Sequence, residues 1–549
     1  MSLGQLWTFL GVALPVLAAL LVPMSAVDLT YQLRAGAEIL SSQGIPDTDT
    51  WTHTVQGVTW LDQQWGAQAI LAAVFKVGGW TGLAVLHAAL VGLAFWFARS
   101  TLRANGCARR PATVLTLLSF IVASPALALR PQLFAIVLFA ATMWILAKRR
   151  EHPRRLWLIP VIALAWANLH GSYPLVVVLV ALGWLDELLR ARAARSIPPL
   201  KAPVRNIPAP TITRFPRRAY AAPGAATPAR AAPGPPARLL GSTGVALIGA
   251  ISAVVTLVTP FGIDTWRYVI SLAANPAVSG RVSEWRPPWP LDPAGFLFYL
   301  SAVAVLAVVL LRLRADRFRI RPETVVPFAT LLTFGMLGVL TGRGLAWWAL
   351  AAPVAAAQLA HDSALSAALP RFLEPARILF RDTPSGRSTR TNRLNGVVAA
   401  VLLVAVVALL PLWRPVGPLG VPLATLSHAP EGIAAEIRNL VRTGQINPGA
   451  PTWNPQHWGS WLEWAAPDVY YTVDSRIELF PDVLWDDVDQ VASMTGDWLP
   501  VLDEYKVQVV VLTSEQSALE AALDASPAWR VAYRDGEGSI LVREVPLPA

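Results

Sequence analysis

The residues best suited to chemistry gather in one stretch near the N-terminus, 26–78. Asp28 follows directly on an apolar run, at the edge of a hydrocarbon layer. Partial loss of water there raises the basicity of a carboxylate, and such a group can take a proton from a hydroxyl nucleophile. The competing reading makes Asp28 a helix-flanking residue that caps the next helix. Further along stand Asp47, Asp49, His53, Trp60, Asp62, Gln64 and Trp65. Asp47 and Asp49 form an Asp-x-Asp pair, which holds a divalent cation in one reading and makes a turn beside Pro46 in the other.

A second group is cationic. Arg130, Arg267, Arg281, Arg286 and Arg343 lie between apolar runs on a side of the chain that otherwise carries few cations. The forked guanidinium matches phosphate oxygens; the alternative is an arginine that snorkels to anchor a helix end. Arg343, in Thr341-Gly342-Arg343-Gly344, separates two apolar runs with almost no loop. Asn168 and His170 close another run, where they meet a sugar hydroxyl or a phosphate, or else serve as a polar helix cap. Glu284 and Trp285 combine a carboxylate with an aromatic face that stacks on a sugar ring; interfacial aromatic belts have the same composition. There is no His-Glu-x-x-His, Gly-x-Ser-x-Gly or Walker-type loop, which argues against a zinc hydrolase, a serine hydrolase and an ATP motor. The single cysteine, Cys107, builds no disulfide framework within the chain.

The elements that must carry these residues are membrane helices. Of 549 residues 54% are hydrophobic and only 15% charged, where a soluble domain carries roughly a quarter charged. Eleven runs are long and apolar enough to read as crossings: 7–25, 79–98, 112–129, 131–147, 156–171, 174–189, 242–260, 294–311, 324–341, 344–360 and 396–413. The first lacks a basic start and an Ala-x-Ala site, so it is expected to stay as an anchor. Alternate loops hold 30 of the 45 Lys and Arg residues, and the opposite loops only seven. Basic loops stay cytoplasmic, which puts the N-terminus inside and the C-terminus outside. The net charge of +10 is therefore a signature of topology, and nucleic acid is not an expected partner. The expected organisation is a six-span module (1–195), a disordered cytoplasmic linker rich in Pro, Ala and Arg (196–241), a five-span module (242–414) and a soluble extracytoplasmic α/β domain (415–549). In that domain the patterns predict helices over 431–441 and 515–523, strands over 469–473 and 507–512, and a hairpin of 529–534 with 539–542.

The order Asp28, Tyr31, Gly36, Gly44-Ile45-Pro46, Asp49, Trp60, Trp65, then Arg130-Pro131-Gln132 and Trp166-Ala167-Asn168-Leu169-His170-Gly171, resembles bacterial membrane proteins related to the GT-C glycosyltransferases. These include protein O-mannosyltransferases, aminoarabinose transferases and oligosaccharyltransferases. The tail, with Trp458-Gly459-Ser460-Trp461 and Val473-Asp474-Ser475-Arg476, takes part in the resemblance. The resemblance implies an α-helical polytopic GT-C-like fold in a bacterial cytoplasmic membrane. It also implies a polyprenyl-phosphate-linked sugar as donor, a glycan, lipid or protein as acceptor, and a catalytic carboxylate in the first outer loop, a position that Asp28 matches. The second outer loop at Arg130 lacks the acidic pair of metal-using oligosaccharyltransferases, so metal independence is expected. A flippase for lipid-linked glycans and a cell-envelope scaffold are the readings from other classes.

Overall fold

The computed structural model describes residues 1–41, 44–195, 241–360 and 389–544. The expected linker at 196–241 lies outside the described residues, Gly241 apart. Each of the eleven apolar runs is helical over most of its length. The helices in order are α1 (Leu3–Leu21), α2 (Ala26–Leu40), α3 (Trp65–Ala104), α4 (Arg109–Ala123), α5 (Pro131–Lys148), α6 (Leu158–Ala167) and α7 (Pro174–Arg195). There follow α8 (Ser242–Val255), α9 (Asp264–Ala274), α10 (Pro276–Arg281), α11 (Pro293–Ala315), α12 (Pro322–Leu340), α13 (Gly344–Ala360) and α14 (Thr389–Ala408). Among the described residues, α1, α3, α5, α11 and α12 are long and apolar enough to cross a membrane by length and composition. Three shorter apolar helices lie in α8, α13 and α14.

Two features of the N-terminal third set up the site. The run of helix after Trp65 is broken at Gly79, whose φ of 54° and ψ of −148° belong to backbone that only glycine adopts at low cost. The expected run at 79–98 is thus the second part of α3, and Trp65–Gly78 forms a separate piece before it. Against that piece lies α2. A Cβ at Gly36 would fall 2.1 Å from the carbonyl oxygen of Gln68, so α2 and α3 touch backbone to backbone.

The C-terminal part is folded around a five-stranded mixed sheet in the order β4-β3-β5-β7-β6. Its strands are β3 (Pro451–Trp453), β4 (Tyr470–Tyr471), β5 (Val509–Thr513), β6 (Trp529–Arg534) and β7 (Gly538–Arg543). Two short strands outside it, β1 (Met24–Ser25) and β2 (Leu426–Ser427), pair in parallel and tie the start of α2 to the chain beyond α14. The predicted helix at 431–441 runs Glu431–Arg442. Sequence patterns missed the short strand β3 and the helices Gln456–Ala465 and Asp482–Ser493.

The loop between α2 and α3 joins this sheet. Thr52 bridges Tyr471 in parallel, the His53 amide donates to the Tyr471 carbonyl at 3.1 Å, and the Thr54 hydroxyl donates to the Thr472 carbonyl at 2.6 Å. The edge strand β4 is therefore covered by the loop between α2 and α3, which removes an exposed sheet edge.

Candidate functional site

Asp28 sits in the first turn of α2, where a carboxylate is favoured by the helix dipole. The N-cap is Ser25, so Asp28 is not the cap. Its carboxylate accepts from Arg130 Nη1 at 3.2 Å, and 35% of the side chain remains exposed. Arg130 is the N-cap residue of α5, placed there because Pro131 opens that helix. Its second nitrogen, Nη2, donates to Glu284 Oε1 at 2.7 Å. The other oxygen of Glu284 stands 3.5 Å from Nε of Arg343, in the tight connection between α12 and α13.

Backbone bonds lock the last two partners together. The amides of Gly342 and Arg343 donate to the carbonyls of Arg286 and Glu284, each at 2.9 Å, and the Arg343 guanidinium lies 4.6 Å over the Trp285 ring. The result is a line of alternating charge, Asp28–Arg130–Glu284–Arg343, drawn from four segments far apart in the chain. Its Arg130, Glu284 and Arg343 border a cavity of about 410 Å³ that Arg286, Trp289 and Asp292 also line.

The charges hold one another. Burial works against the charge on Arg130, but Glu284 and Asp28 more than offset it. Burial likewise disfavours the Glu284 carboxylate, yet Arg130 and Arg343 keep its pKa below the ordinary value. Arg343 is lowered by burial and by Arg130, with Glu284, Asp28 and Glu478 pulling the other way. An anion entering beside Arg343 would relieve that cost. His170 has its Nδ1 held 2.8 Å from the Ser172 hydroxyl.

Other expected site residues lie elsewhere. Asn168 is engaged in the scaffold: its Oδ1 accepts from Trp65 at 3.1 Å, and its Nδ2 donates to the carbonyls of Leu164 and Val258. Asp47 and Asp49 do not form a pair of ligands. Asp47 is exposed, whereas Asp49 is buried and bonded to Arg476 at 2.6 Å and to the Thr52 hydroxyl at 2.7 Å. Among the described residues no cluster of three or more His, Cys, Asp or Glu side chains is placed to hold a metal ion. The site carboxylates already face two guanidiniums, so this donor set does not fit a divalent cation. Of the other outer arginines, Arg267 pairs with Asp264. Arg281 pairs with Asp486 and Asp489 and so fastens α10 to Asp482–Ser493.

Sequence patterns passed over one acidic group, Glu478, and named Asp62 without giving it a role. Glu478 lies in a turn after β4 and accepts from the Tyr268 hydroxyl at 3.0 Å. Asp62 is 2% exposed; Gln68 donates to its Oδ1 at 2.7 Å, and its Oδ2 has no protein partner. Burial raises its pKa from 3.8 to about 7. The folded state thus keeps a proton that the unfolded chain releases between those values, and stability falls as pH rises through that window. Asp62→Asn is expected to flatten this slope and to add about 1–3 kcal/mol at pH 8. Thermal unfolding in detergent at pH 5 and pH 8 checks it, and an unchanged pH dependence would contradict the assignment.

No family model matches the chain, and no curated protein matches it. Solved structures do. The archaeal oligosaccharyltransferase AglB from Archaeoglobus fulgidus, in complex with an inhibitory peptide and a dolichol-phosphate, is 10% identical over 93% of this chain and 70% of its own, with a TM-score of 0.54. The apo form of the Archaeoglobus fulgidus oligosaccharyltransferase is 11% identical over 98% and 75%, at 0.53. ArnT from Cupriavidus metallidurans bound to undecaprenyl phosphate is 15% identical over the whole of both chains, at 0.46, a score that carries no weight in the assignment. At these identities the likeness reports architecture: this chain has the GT-C fold of the membrane glycosyltransferases.

Proposed function

We propose that the protein transfers a sugar from a polyprenyl-phosphate donor to a hydroxyl on an extracytoplasmic glycan, lipid or protein, with inversion at the anomeric carbon. The ion pair of Asp28 with Arg130, which lines one cavity together with Glu284 and Arg343, carries this reading. In the single displacement, the acceptor oxygen bonds to the anomeric carbon as the bond to the phosphate oxygen breaks, and the electron pair leaves with the phosphate. Asp28 takes the hydroxyl proton. Arg130 contacts Asp28 at 3.2 Å, more loosely than it contacts Glu284 at 2.7 Å, so the carboxylate can turn towards a substrate. Arg343 and Arg286 meet the charge that develops on the leaving phosphate, with Trp285 and Trp289 offering aromatic faces to the sugar and prenyl groups. No step uses a metal ion.

The membrane topology proposed with it has eleven crossings of a bacterial cytoplasmic membrane, the N-terminus inside, and residues 415–549 outside as an α/β unit beside the site. The alternation of basic loops supports it.

The reading is tested with the full-length protein in lipid vesicles, supplied with a radiolabelled polyprenyl-phosphate sugar and a bacterial membrane extract as acceptor. Transfer is expected from the wild type. Arg343→Ala is expected to weaken donor binding by about 2 kcal/mol, the worth of a charge-assisted hydrogen bond. Arg343→Lys should recover only part, because an ammonium lacks the fork. Donor binding without transfer would favour a flippase, and neither binding nor transfer would favour a scaffold.

A further inference from the structure

A second cavity lies at the end of the helices remote from Asp28. It is a groove of about 650 Å³ along one face of α1 from Gly4 to Val16, with Trp96 of α3 as its floor. Leu403 and Val406 of α14 form its far wall, and Arg109, the first residue of α4, stands at its end. At about 1.5 Å of rise per residue, Gly4 is about 25 Å from Leu21, where α1 leads towards α2 and Asp28. Contacts between the walls close the groove at both ends. Near Gly4 the Asn395 side chain donates to the Met1 carbonyl at 3.2 Å, and beyond Val16 the residues Val406, Leu409 and Leu410 pack on Leu20, Ala84 and Ala88. Between these contacts Trp96 and Leu403 are exposed.

The groove changes character along its length. Phe9, Val12, Ala13 and Val16 make the Val16 half apolar, whereas Gln5, Thr8 and Arg109 line the Gly4 half. A Cβ at Gly4 would fall 2.9 Å from Nη1 of Arg109, so that exposed guanidinium lies over the first turn of α1. Arg110 lies 5.4 Å from the Trp7 ring centroid. Behind Thr8, Arg99 is only 7% exposed and donates to the hydroxyls of Thr8 at 2.9 Å and Thr113 at 3.1 Å; among the described residues no carboxylate pairs with it. Three guanidiniums thus meet the first two turns of α1, while α1, α3, α4 and α14 carry no Asp or Glu. A buried cation that bonds only to neutral groups is costly, and an anion at this end of the groove offsets the cost.

We propose that this groove is the seat of one anionic phospholipid, with its phosphate against Arg109, Gln5 and Thr8 and one acyl chain along α1 towards Val16. The dimensions fit. Gly4 to Val16 is about 18 Å of helix, and the hydrocarbon of one leaflet is about 15 Å deep. A polyprenyl chain, several times longer, would run into the wall where Leu409 and Leu410 close the groove. Charge selects the headgroup, because a zwitterionic lipid brings an ammonium into a corner that already holds three guanidiniums. The bound lipid lies between α1 and α14, and so braces the helix that leads into the C-terminal part of the chain. The seat is separate from the cavity beside Arg130 and does not depend on sugar transfer.

The test uses the full-length protein in mild detergent, supplied with phosphatidylglycerol or with phosphatidylcholine of the same acyl chains. Native mass spectrometry is expected to show one phosphatidylglycerol retained in preference to phosphatidylcholine, and the unfolding midpoint should rise with phosphatidylglycerol alone. Arg109→Gln should weaken that retention roughly fivefold, the worth of one cation beside an anionic headgroup, and Arg109→Lys should keep most of it. Leu403→Trp fills the path of the acyl chain from an exposed position and should expel the lipid while leaving the cations in place. Phosphatidylglycerol with a photoreactive acyl chain locates the seat: adducts are expected in the peptides that carry residues 4–16 and 403–406, and should be lost in Leu403→Trp. Equal retention of the two lipids, or adducts confined to other helices, would overturn the proposal. So would displacement of phosphatidylglycerol by an equimolar polyprenyl phosphate, which would make the groove a berth for the longer lipid.

Discussion

Asp28→Asn is expected to slow sugar transfer by about 10²–10⁴-fold, roughly 3–5 kcal/mol of barrier, with no loss of folded protein. The amide keeps the size of the side chain and can still accept from Arg130, so the contact at 3.2 Å is weakened but not emptied. What disappears is the proton acceptor. The fold should tolerate this because Asp28 is not the cap of α2 and keeps 35% of its side chain exposed; its removal strands no buried charge other than Arg130, which retains Glu284 at 2.7 Å. Asp47→Asn is the matched control. Asp47 is exposed and lends its backbone carbonyl to Trp60 at 2.7 Å, a bond the substitution leaves alone. Transfer is scored against equal amounts of folded protein in vesicles. Wild-type rates from the Asn variant would remove Asp28 as the base, and an equal loss in Asp47→Asn would mean that the loop as a whole, and not one carboxylate, had been disturbed.

The residues of the charged line were legible one at a time. Asp28, Arg130 and Arg343 stand at the ends of apolar runs, where an ionisable group is costly and therefore informative, and Glu284 is marked by the aromatic ring of Trp285 beside it. What the sequence does not contain is their mutual distance, because Asp28 and Arg343 meet only after α5, α11, α12 and α13 have packed. Asp49 shows the opposite failure. Beside Asp47 it looks like half of a ligand pair, and nothing local reveals that Arg476, 427 positions away, claims its carboxylate. Asn168 was misplaced for a related reason, since the side chain that ends a helix is as useful for stitching α6 to α3 as for holding a ligand. Glu478 carried a faint signal: an acid two residues beyond Asp474-Ser475-Arg476, at the end of a strand, in the part of the chain expected outside. The kink in α3 was visible as Gly78-Gly79, where the expected apolar run begins.

Arg476→Met is expected to destabilise the protein by about 3–5 kcal/mol, the cost of breaking a buried ion pair from one side. The side chain of Arg476 is 1% exposed, and those of its partners Asp49 and Asp474 are fully buried. Its guanidinium lies 4.2 Å from the Trp51 ring centroid and 4.7 Å from that of Trp60, so it also packs two large rings. Burial alone would push its proton off, and Asp474, Glu463 and Asp49 more than reverse that, leaving its pKa above the ordinary value. Methionine fills much of the volume but leaves Asp49 and Asp474 buried without a counter-charge. Next to them Glu463 is fully buried, and neither of its side-chain oxygens has a hydrogen-bond partner among the described residues; Arg34, the other guanidinium against Trp51, is already engaged by the Glu463 carbonyl and by Glu38. The triple change Asp49→Asn, Asp474→Asn, Arg476→Met should cost less than Arg476→Met alone, because neutral groups need no counter-charge. The same comparison separates charge from packing, since the lost cation–π contacts are common to both variants. Protease sensitivity of the 44–64 loop and the unfolding midpoint in detergent provide the measurements. A single variant as stable as the wild type, or a triple variant worse than the single, would mean that Arg476 holds the outer loop to the sheet by shape and not by charge.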